Sequence, residues 1–419
     1  MARYYERFIE SAIQRKLKSS GAIVIEGPKF CGKTTTSMRF AKSNASLNTK
    51  RIIDVAKLEP KNVLIGEHPR VIDEWQTVPQ IWDEVRSLVD STSEFGQFIL
   101  TGSTTPVDKT DIFHSGAGRI SKIKMRPMSL SESKESKNIV SLSGLFHNAD
   151  IAFFDDNADS SLSDMAFYVC RGGWPLSVLA DRDVALDVTK NYYEGVFNFE
   201  YCDNEKFRNK NPEIMRLILR SYARNISSEA SLKTIQRDVT SSNDRTLDSK
   251  TLNEYLDALR DLFIIEDLDA WNPNLRSKAI VRTTPTRHFV DTSIAASVLG
   301  IVPDDLMNDL ESLGLFFEDM AVRDLVIYAS HLGASVAHYR DSSGLECDAV
   351  MHFGNGKWGA IEIKLGGERL IDEGAKNLSK LKSVVNEEQL AFQMVLTATG
   401  PAYRRDDGIY VVPLNCLTA

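Results

Sequence analysis

Cysteine is sparse: Cys31, Cys170, Cys202, Cys347 and Cys416 are the five in 419 residues, odd in number and scattered. They give neither a disulfide framework nor a zinc-ligand spacing, which points to a reducing compartment. No apolar run approaches the roughly 20 residues that span a bilayer, and the N-terminal stretch has no apolar signal core. A soluble, cytoplasmic protein is expected. Internal repeats and low-complexity tracts are also missing. Basic residues do not dominate, with 50 Lys and Arg against 58 Asp and Glu and a net charge of −8. That excludes a chain basic all over but leaves room for a local basic patch. Hydrophobic residues at 42% and charged residues at 26% exclude wholesale disorder. The length exceeds what one core supports, so several domains are expected.

The first block alternates strand-like runs (AIVIEG, RIIDVA, RVIDEW, QFILTGS) with helical stretches, the pattern of a parallel α/β sheet. Between a strand and a helix stands Gly27-Pro28-Lys29-Phe30-Cys31-Gly32-Lys33-Thr34, which fits G-x-x-x-x-G-K-[ST]. Glycines let backbone N–H groups wrap an anion at a helix N-terminus, where the dipole favours negative charge. Lys33 is placed to reach terminal phosphates, Thr34 to ligate Mg²⁺, and Thr35 to extend the cradle. About forty residues after Lys33, the strand RVIDE ends in Asp73 and Glu74. Asp73 suits a metal ion and Glu74 suits the base that polarises an attacking water. A third strand ends at Thr101 and Ser103, hydroxyls suited to sensing the γ-phosphate. Arg119 follows a glycine pair and is expected either to complete the site in cis or to reach a neighbouring subunit's site. Cys31, inside the loop, is either a space-filling side chain or a thiol whose modification blocks ATP.

GPKFCGKTTT, RVIDEWQTVPQIWDEV, FILTGSTTP, GAGR and MRPMSLSE together resemble prokaryotic AAA-type P-loop ATPases related to the archaeal ATPase and signal-transducing NTPase groups. RGGWP and HFVDTSIAASVLG extend the resemblance over nearly the whole chain. It implies ATP and Mg²⁺ as ligands, hydrolysis on a sheet with an extra strand between the loop strand and the Asp73 strand, and a winged-helix middle domain. The expected fold class is α/β throughout: an AAA-type ATPase domain (1–128), a connecting helical and loop region (129–205), a winged-helix-like domain (206–304) and a restriction-endonuclease-like domain (305–419). SLSESKESKN in the connection reads as a charged surface segment.

The middle block holds three helical stretches, then IIEDLDAW, KAIVR and HFVD as a β wing. From Lys206 to Lys250 it carries ten basic residues against five acidic, a local +5 in a chain of −8. Arg216, Arg220 and Arg224 recur at i+4 on one helix face suited to phosphate. The candidate recognition helix is acidic, so non-specific nucleic-acid contact or packing between domains is expected rather than base readout. In the last block, Asp348 precedes Glu362-Ile363-Lys364 by fourteen residues, and Glu318 sits on an amphipathic helix with Leu315, Val322, Leu325 and Ala329. These four polar residues resemble the acidic-x-lysine core of restriction-endonuclease-like folds. The resemblance implies a Mg²⁺-dependent phosphodiester site; a cross-strand ion-pair patch or an inert structural module stays open. Three functions remain: an ATPase that controls the placement of winged-helix and nuclease-like modules on nucleic acid, an ATP-gated signalling or interaction switch, and a processive nucleic-acid motor, any of which could assemble as a homo-oligomer.

Overall fold

The computed structural model describes residues 4–103, 116–147, 161–195, 210–242, 247–273, 284–385 and 387–419. Strands β1 (Ala22–Glu26), β2 (Ser43–Ser46), β3 (Arg70–Asp73), β4 (Phe98–Gly102) and β5 (Ile120–Lys124) form an all-parallel sheet in the order β2-β3-β4-β1-β5. Strand β4 separates the loop strand from the Asp73 strand, as the resemblance implied. The central strands are buried on both faces, which explains their near-continuous Ile, Val and Leu. The run RIIDVA, expected as a strand, is instead part of the helix Lys50–Leu58. Its apolar residues recur at helical spacing, with Ala56 buried and Ile52, Val55 and Leu58 facing out. The polar strand β2, Ser-Asn-Ala-Ser, forms the sheet edge beside β3.

Helices Leu162–Arg171, Pro175–Leu179 and Ala185–Gly195 follow, then Pro212–Arg224, Leu232–Ser242 and Ser249–Asp261. Beyond the third helix of the latter set, the described residues pair through isolated bridges, Ile265 to Phe289 and Leu268 to Thr286 antiparallel and Ala270 to His338 parallel. The KAIVR run lies outside the described residues. A second sheet, β11 (Tyr403–Arg404), β12 (Tyr410–Pro413), β10 (Leu390–Thr397), β9 (Trp358–Lys364), β8 (Glu346–Phe353) and β7 (Ala334–Arg340), mixes antiparallel and parallel pairs. The helix Leu310–Leu332 packs on it.

Two expectations about surface segments are corrected. The helix Leu310–Leu332 is not amphipathic: Phe316, Phe317, Met320, Ala321, Val322, Leu325 and Tyr328 bury most of its girth, while Leu315 is exposed. It packs against the second sheet and against the helices Ile9–Leu17 and Leu162–Arg171, which is why its apolar pattern has no single stripe. SLSES is also not a surface segment, since Ser129, Leu130, Ser131, Glu132 and Ser133 are all buried. Their polar groups are paired internally, as buried ones must be. Glu132 accepts from Phe8 N at 2.7 Å and Ser129 N at 3.0 Å and pairs with Arg7 at 3.2 Å. The chain's last strand, β13 (Leu417–Thr418), pairs with β6 (Val140–Ser141) just beyond. Among the described residues no helix is long and apolar enough to cross a membrane.

Candidate nucleotide site and an acidic cluster

Strand register aligns the first site. Ser46 stands beside Asp73, Asp73 beside Thr101, and Glu26, the residue before the glycine loop, beside Gly102. All sit at the C-terminal ends of parallel strands, the edge where open α/β sheets bind ligands. Gly27 is required there, because a Cβ would lie 2.1 Å from the Met125 carbonyl oxygen. Gly32 takes the left-handed conformation at φ 102° and caps the helix Lys33–Met38.

Lys33 is buried, and its ammonium donates to the carbonyls of Gly27 at 2.9 Å and Pro28 at 2.7 Å. The loop's own backbone thus holds this charge. Thr34 Oγ1 donates to Asp73 Oδ1 at 2.9 Å, Thr101 Oγ1 donates to the same oxygen, and Ser46 Oγ reaches Oδ2 at 3.5 Å. Glu74 is a non-glycine residue in the left-handed region, φ 59°. That strain turns its carboxylate away from the strand, where Ser103 Oγ donates at 3.1 Å and Gln76 Nε2 at 2.5 Å. Thr35 is exposed at the helix start, Lys29 is half-buried, and Pro28 is buried beneath the loop. Cys31 is fully buried with its Sγ 3.7 Å from the Met125 carbonyl, so it fills space and is closed to alkylating reagents. The Thr34 hydroxyl beside the Asp73 carboxylate fits Mg²⁺, a hard cation that takes oxygen donors.

Arg119 falls outside this assembly. It precedes Ile120, which pairs with Ala22, so it lies at the N-terminal ends of the strands, roughly 16 Å along β1 from the loop. Its Nε pairs with Asp90 at 2.7 Å. Completion of the site in cis is therefore corrected: the short strand places Arg119 at the opposite end of the sheet.

The second cluster gathers the four expected residues. Asp348 on β8 accepts from the Ile363 backbone N at 2.7 Å and from Lys364 Nζ at 3.0 Å. Lys364 Nζ also contacts Glu362 Oε2 at 2.8 Å. Glu362 is buried, its other carboxylate oxygen has no hydrogen-bond partner, and burial together with the Asp348 charge raises its pKa to about 8. Burial and the charges of Asp348 and Glu362 push Glu318 well above the carboxylate range. Burial opposes the Lys364 charge, yet Asp348 and Glu362 hold its pKa above that of an ordinary lysine. The ammonium thus takes the place between carboxylates that a cation would occupy. Among the described residues, no group of three or more His, Cys, Asp or Glu is arranged to hold a metal ion.

A third group was not anticipated from sequence. Asp291, Arg323 and Asp324 are all buried. Arg323 donates to Asp291 at 2.8 Å and to Asp324 through Nε at 2.9 Å and its terminal nitrogen at 2.7 Å. Asp324 also accepts from Leu130 N at 2.9 Å, and Asp291 from Gly173 N at 2.9 Å. Asp319, on the same helix, accepts from His288 at 2.9 Å and Phe289 N at 3.0 Å. The available signal was charge inside the apolar runs FEDMAVRDL and HFVD.

Comparison with known proteins bears on the domain that holds the first site and leaves the rest of the chain without a described function. Residues 19–134 match the family model described as AAA domain. With the parallel sheet and the glycine loop, this supports an AAA-type P-loop nucleoside-triphosphatase domain. Residues 162–305 and 313–417 match two models described only as domains of unknown function. The chain is similar to uncharacterized proteins Mb2031c of Mycobacterium bovis and Rv2008c of Mycobacterium tuberculosis. Each is 25% identical over 412 residues, covering 96% of this chain and 82% of the relative.

Proposed function

We propose that the protein hydrolyses ATP at the glycine loop and uses the nucleotide cycle to control a nucleic-acid-directed C-terminal module. The observation that carries the reading is the convergence of Thr34, Thr101 and Ser46 on the Asp73 carboxylate, beside a buried Lys33. Lys33 and the loop N–H groups neutralise phosphate oxygens. Glu74 orients and polarises the attacking water, and Ser103 and Gln76 hold its carboxylate in place. Thr101 and Ser103 report the state of the γ-phosphate. Mg²⁺, held by Thr34 and Asp73, supplies charge neutralisation when bound. Arg119, exposed at the far end of the sheet, serves a neighbouring subunit in a homo-oligomer. Lys33→Ala abolishes nucleotide binding on this reading; unchanged affinity sinks it.

The modules are those of the sequence blocks: ATPase, 1–128; connection, 129–205; winged-helix-like, 206–304; nuclease-like, 305–419. The first two helices of the winged-helix-like block present Arg216, Arg220, Arg224, Lys233 and Arg237, all exposed. The third helix faces solvent with Asn253, Glu254 and Asp257, so contact with nucleic acid is to the backbone and non-specific. If all five cations meet duplex phosphates, log affinity falls with log salt at a slope of about −4.5, and a slope near zero contradicts the contact.

A second reading rests on Lys364, which bridges Asp348 and Glu362 directly. In that arrangement the nuclease-like module is inert, and the chain is an ATP-gated interaction switch. Mg²⁺-dependent cleavage of DNA or RNA by the parent, lost in Glu362→Ala and Lys364→Ala, decides for the active module. No cleavage of any nucleic acid by the parent decides for the switch.

A further inference from the structure

The glycine loop and the acidic cluster are joined by a continuous set of contacts that neither site needs for its own chemistry. Phe30, at the loop tip, is mostly exposed and held at φ 61°. Its ring meets Tyr192 edge-on with centroids 6.1 Å apart, and Tyr192 lies tilted on Trp174 at 4.1 Å. The next residue, Pro175, approaches the loop from below: a Cβ on Gly32 would lie 3.6 Å from its ring. The turn Gly172–Pro175 therefore meets the phosphate loop directly through Pro175 and indirectly through Tyr192.

The same turn is locked on its other side. Trp174 Nε1 donates to Ser293 Oγ at 3.0 Å, and Gly173 N donates to Asp291 at 2.9 Å. Met128 N donates to the Gly173 carbonyl at 2.7 Å, and a Cβ on Gly173 would stand 2.0 Å from the Met128 oxygen. A Cβ on Gly172 would meet Asp291 at 2.1 Å. No slack exists for the turn to move independently of Asp291. Asp291 is in turn gripped by Arg323, which lies on the Leu310–Leu332 helix five residues beyond Glu318. A packed, fully bonded contact of this kind has discrete arrangements rather than continuous give.

We propose that Tyr192, Trp174, Asp291 and Arg323 are positioning residues that convey nucleotide occupancy at the glycine loop to the helix bearing Glu318, and so to the Asp348–Glu362–Lys364 cluster. This rests on the reading of the loop as a nucleotide site. A phosphate bound in the loop takes the Lys33 ammonium from the Gly27 and Pro28 carbonyls, and the loop tip carrying Phe30 readjusts with it. Tyr192 and the turn follow, and Arg323 shifts the pitch of the helix under the acidic cluster. A ligand moves such an equilibrium only by its differential affinity for the two arrangements.

The test is hydrogen exchange of the full-length chain with and without Mg²⁺ and a non-hydrolysable ATP analogue, followed in segments 27–38, 172–176 and 316–324. In wild type, nucleotide protects the loop and changes exchange in the turn and in the helix by about fivefold or more, the lower end of ordinary coupling. In Tyr192→Leu the loop stays protected and the helix response disappears. Arg323→Met, which leaves the turn bonded to Asp291 but removes the link from Asp291 to the helix, separates the two halves: the turn responds and the helix does not. A helix response unchanged in both variants overturns the proposal, as does a protected loop in wild type with a silent turn and helix. A loop that nucleotide leaves unprotected refutes the nucleotide reading itself, and this inference falls with it.

Discussion

Replacing Arg323 by methionine tests how much of the architecture hangs on one buried guanidinium. The side chain makes three charge-assisted bonds, one to Asp291 and two to Asp324, with all three residues at 4% exposure or less. Methionine matches its volume well enough to leave no large cavity, so the change isolates the charge. Two carboxylates then remain buried, supported only by Gly173 N and Ser293 at Asp291 and by Leu130 N at Asp324. Removing one partner of such a group costs about 3–5 kcal/mol. The loss carries a pH signature. Burial pushes the Asp324 carboxyl up to about 6, against the pull of Arg323. A carboxyl raised on folding contributes stability that is full below its unfolded pKa and is lost as pH rises through the folded one. Without the guanidinium the Asp324 carboxyl prefers its proton more strongly, so the deficit of the variant widens between pH 5 and pH 8. Denaturant unfolding at both pH values, followed by circular dichroism and tryptophan fluorescence, reads this directly. Adding Asp324→Asn to Arg323→Met should restore part of the stability at pH 8. A deficit below about 1 kcal/mol, the ordinary size of a point-mutation effect, or one that ignores pH refutes the reasoning.

Other outcomes follow from single contacts. Gly173→Ala drives a Cβ into the Met128 carbonyl oxygen at 2.0 Å and should lower thermal stability markedly, whereas Gly118→Ala, with open space around it but φ 77°, should cost far less. Glu362 has its pKa raised to about 8 by burial and Asp348, so its contribution to wild-type stability is lost as pH rises through that value. Glu362→Gln should therefore flatten the stability profile between pH 6 and pH 9; identical profiles would contradict the placement. Alkylating reagents should leave Cys31 unmodified in the folded protein because its side chain is fully buried, and rapid modification without unfolding would contradict that.

The glycine loop and the Asp73–Glu74 strand end were readable because each is a local string whose chemistry depends on neighbours in sequence. The Asp348, Glu362 and Lys364 cluster was readable because strand alternation fixes which residues share a face. The Arg323 junction was not, since its partners Gly173, Leu130 and Asp291 lie far apart along the chain and meet only in the folded protein. RIIDVA misled because a short apolar run fits strand and helix equally, and only its mixed inner and outer faces separate them. Arg119 misled because a flexible glycine pair says nothing about which end of a strand it stands on. SLSES looked solvated because its composition is polar, yet each polar atom has an internal partner that composition does not reveal.

On the proposed function, the glycine loop, Asp73 and Glu74 form one ATP-hydrolysing site. The direct measurement is steady-state ATP turnover and equilibrium ATP binding by wild type and Glu74→Gln, each with and without DNA or RNA. Turnover reduced about 10²–10⁴-fold with binding retained is the expected result, since only the polarisation of water is removed. Equal turnover in the two proteins, or a wild type that binds no nucleotide, would contradict it.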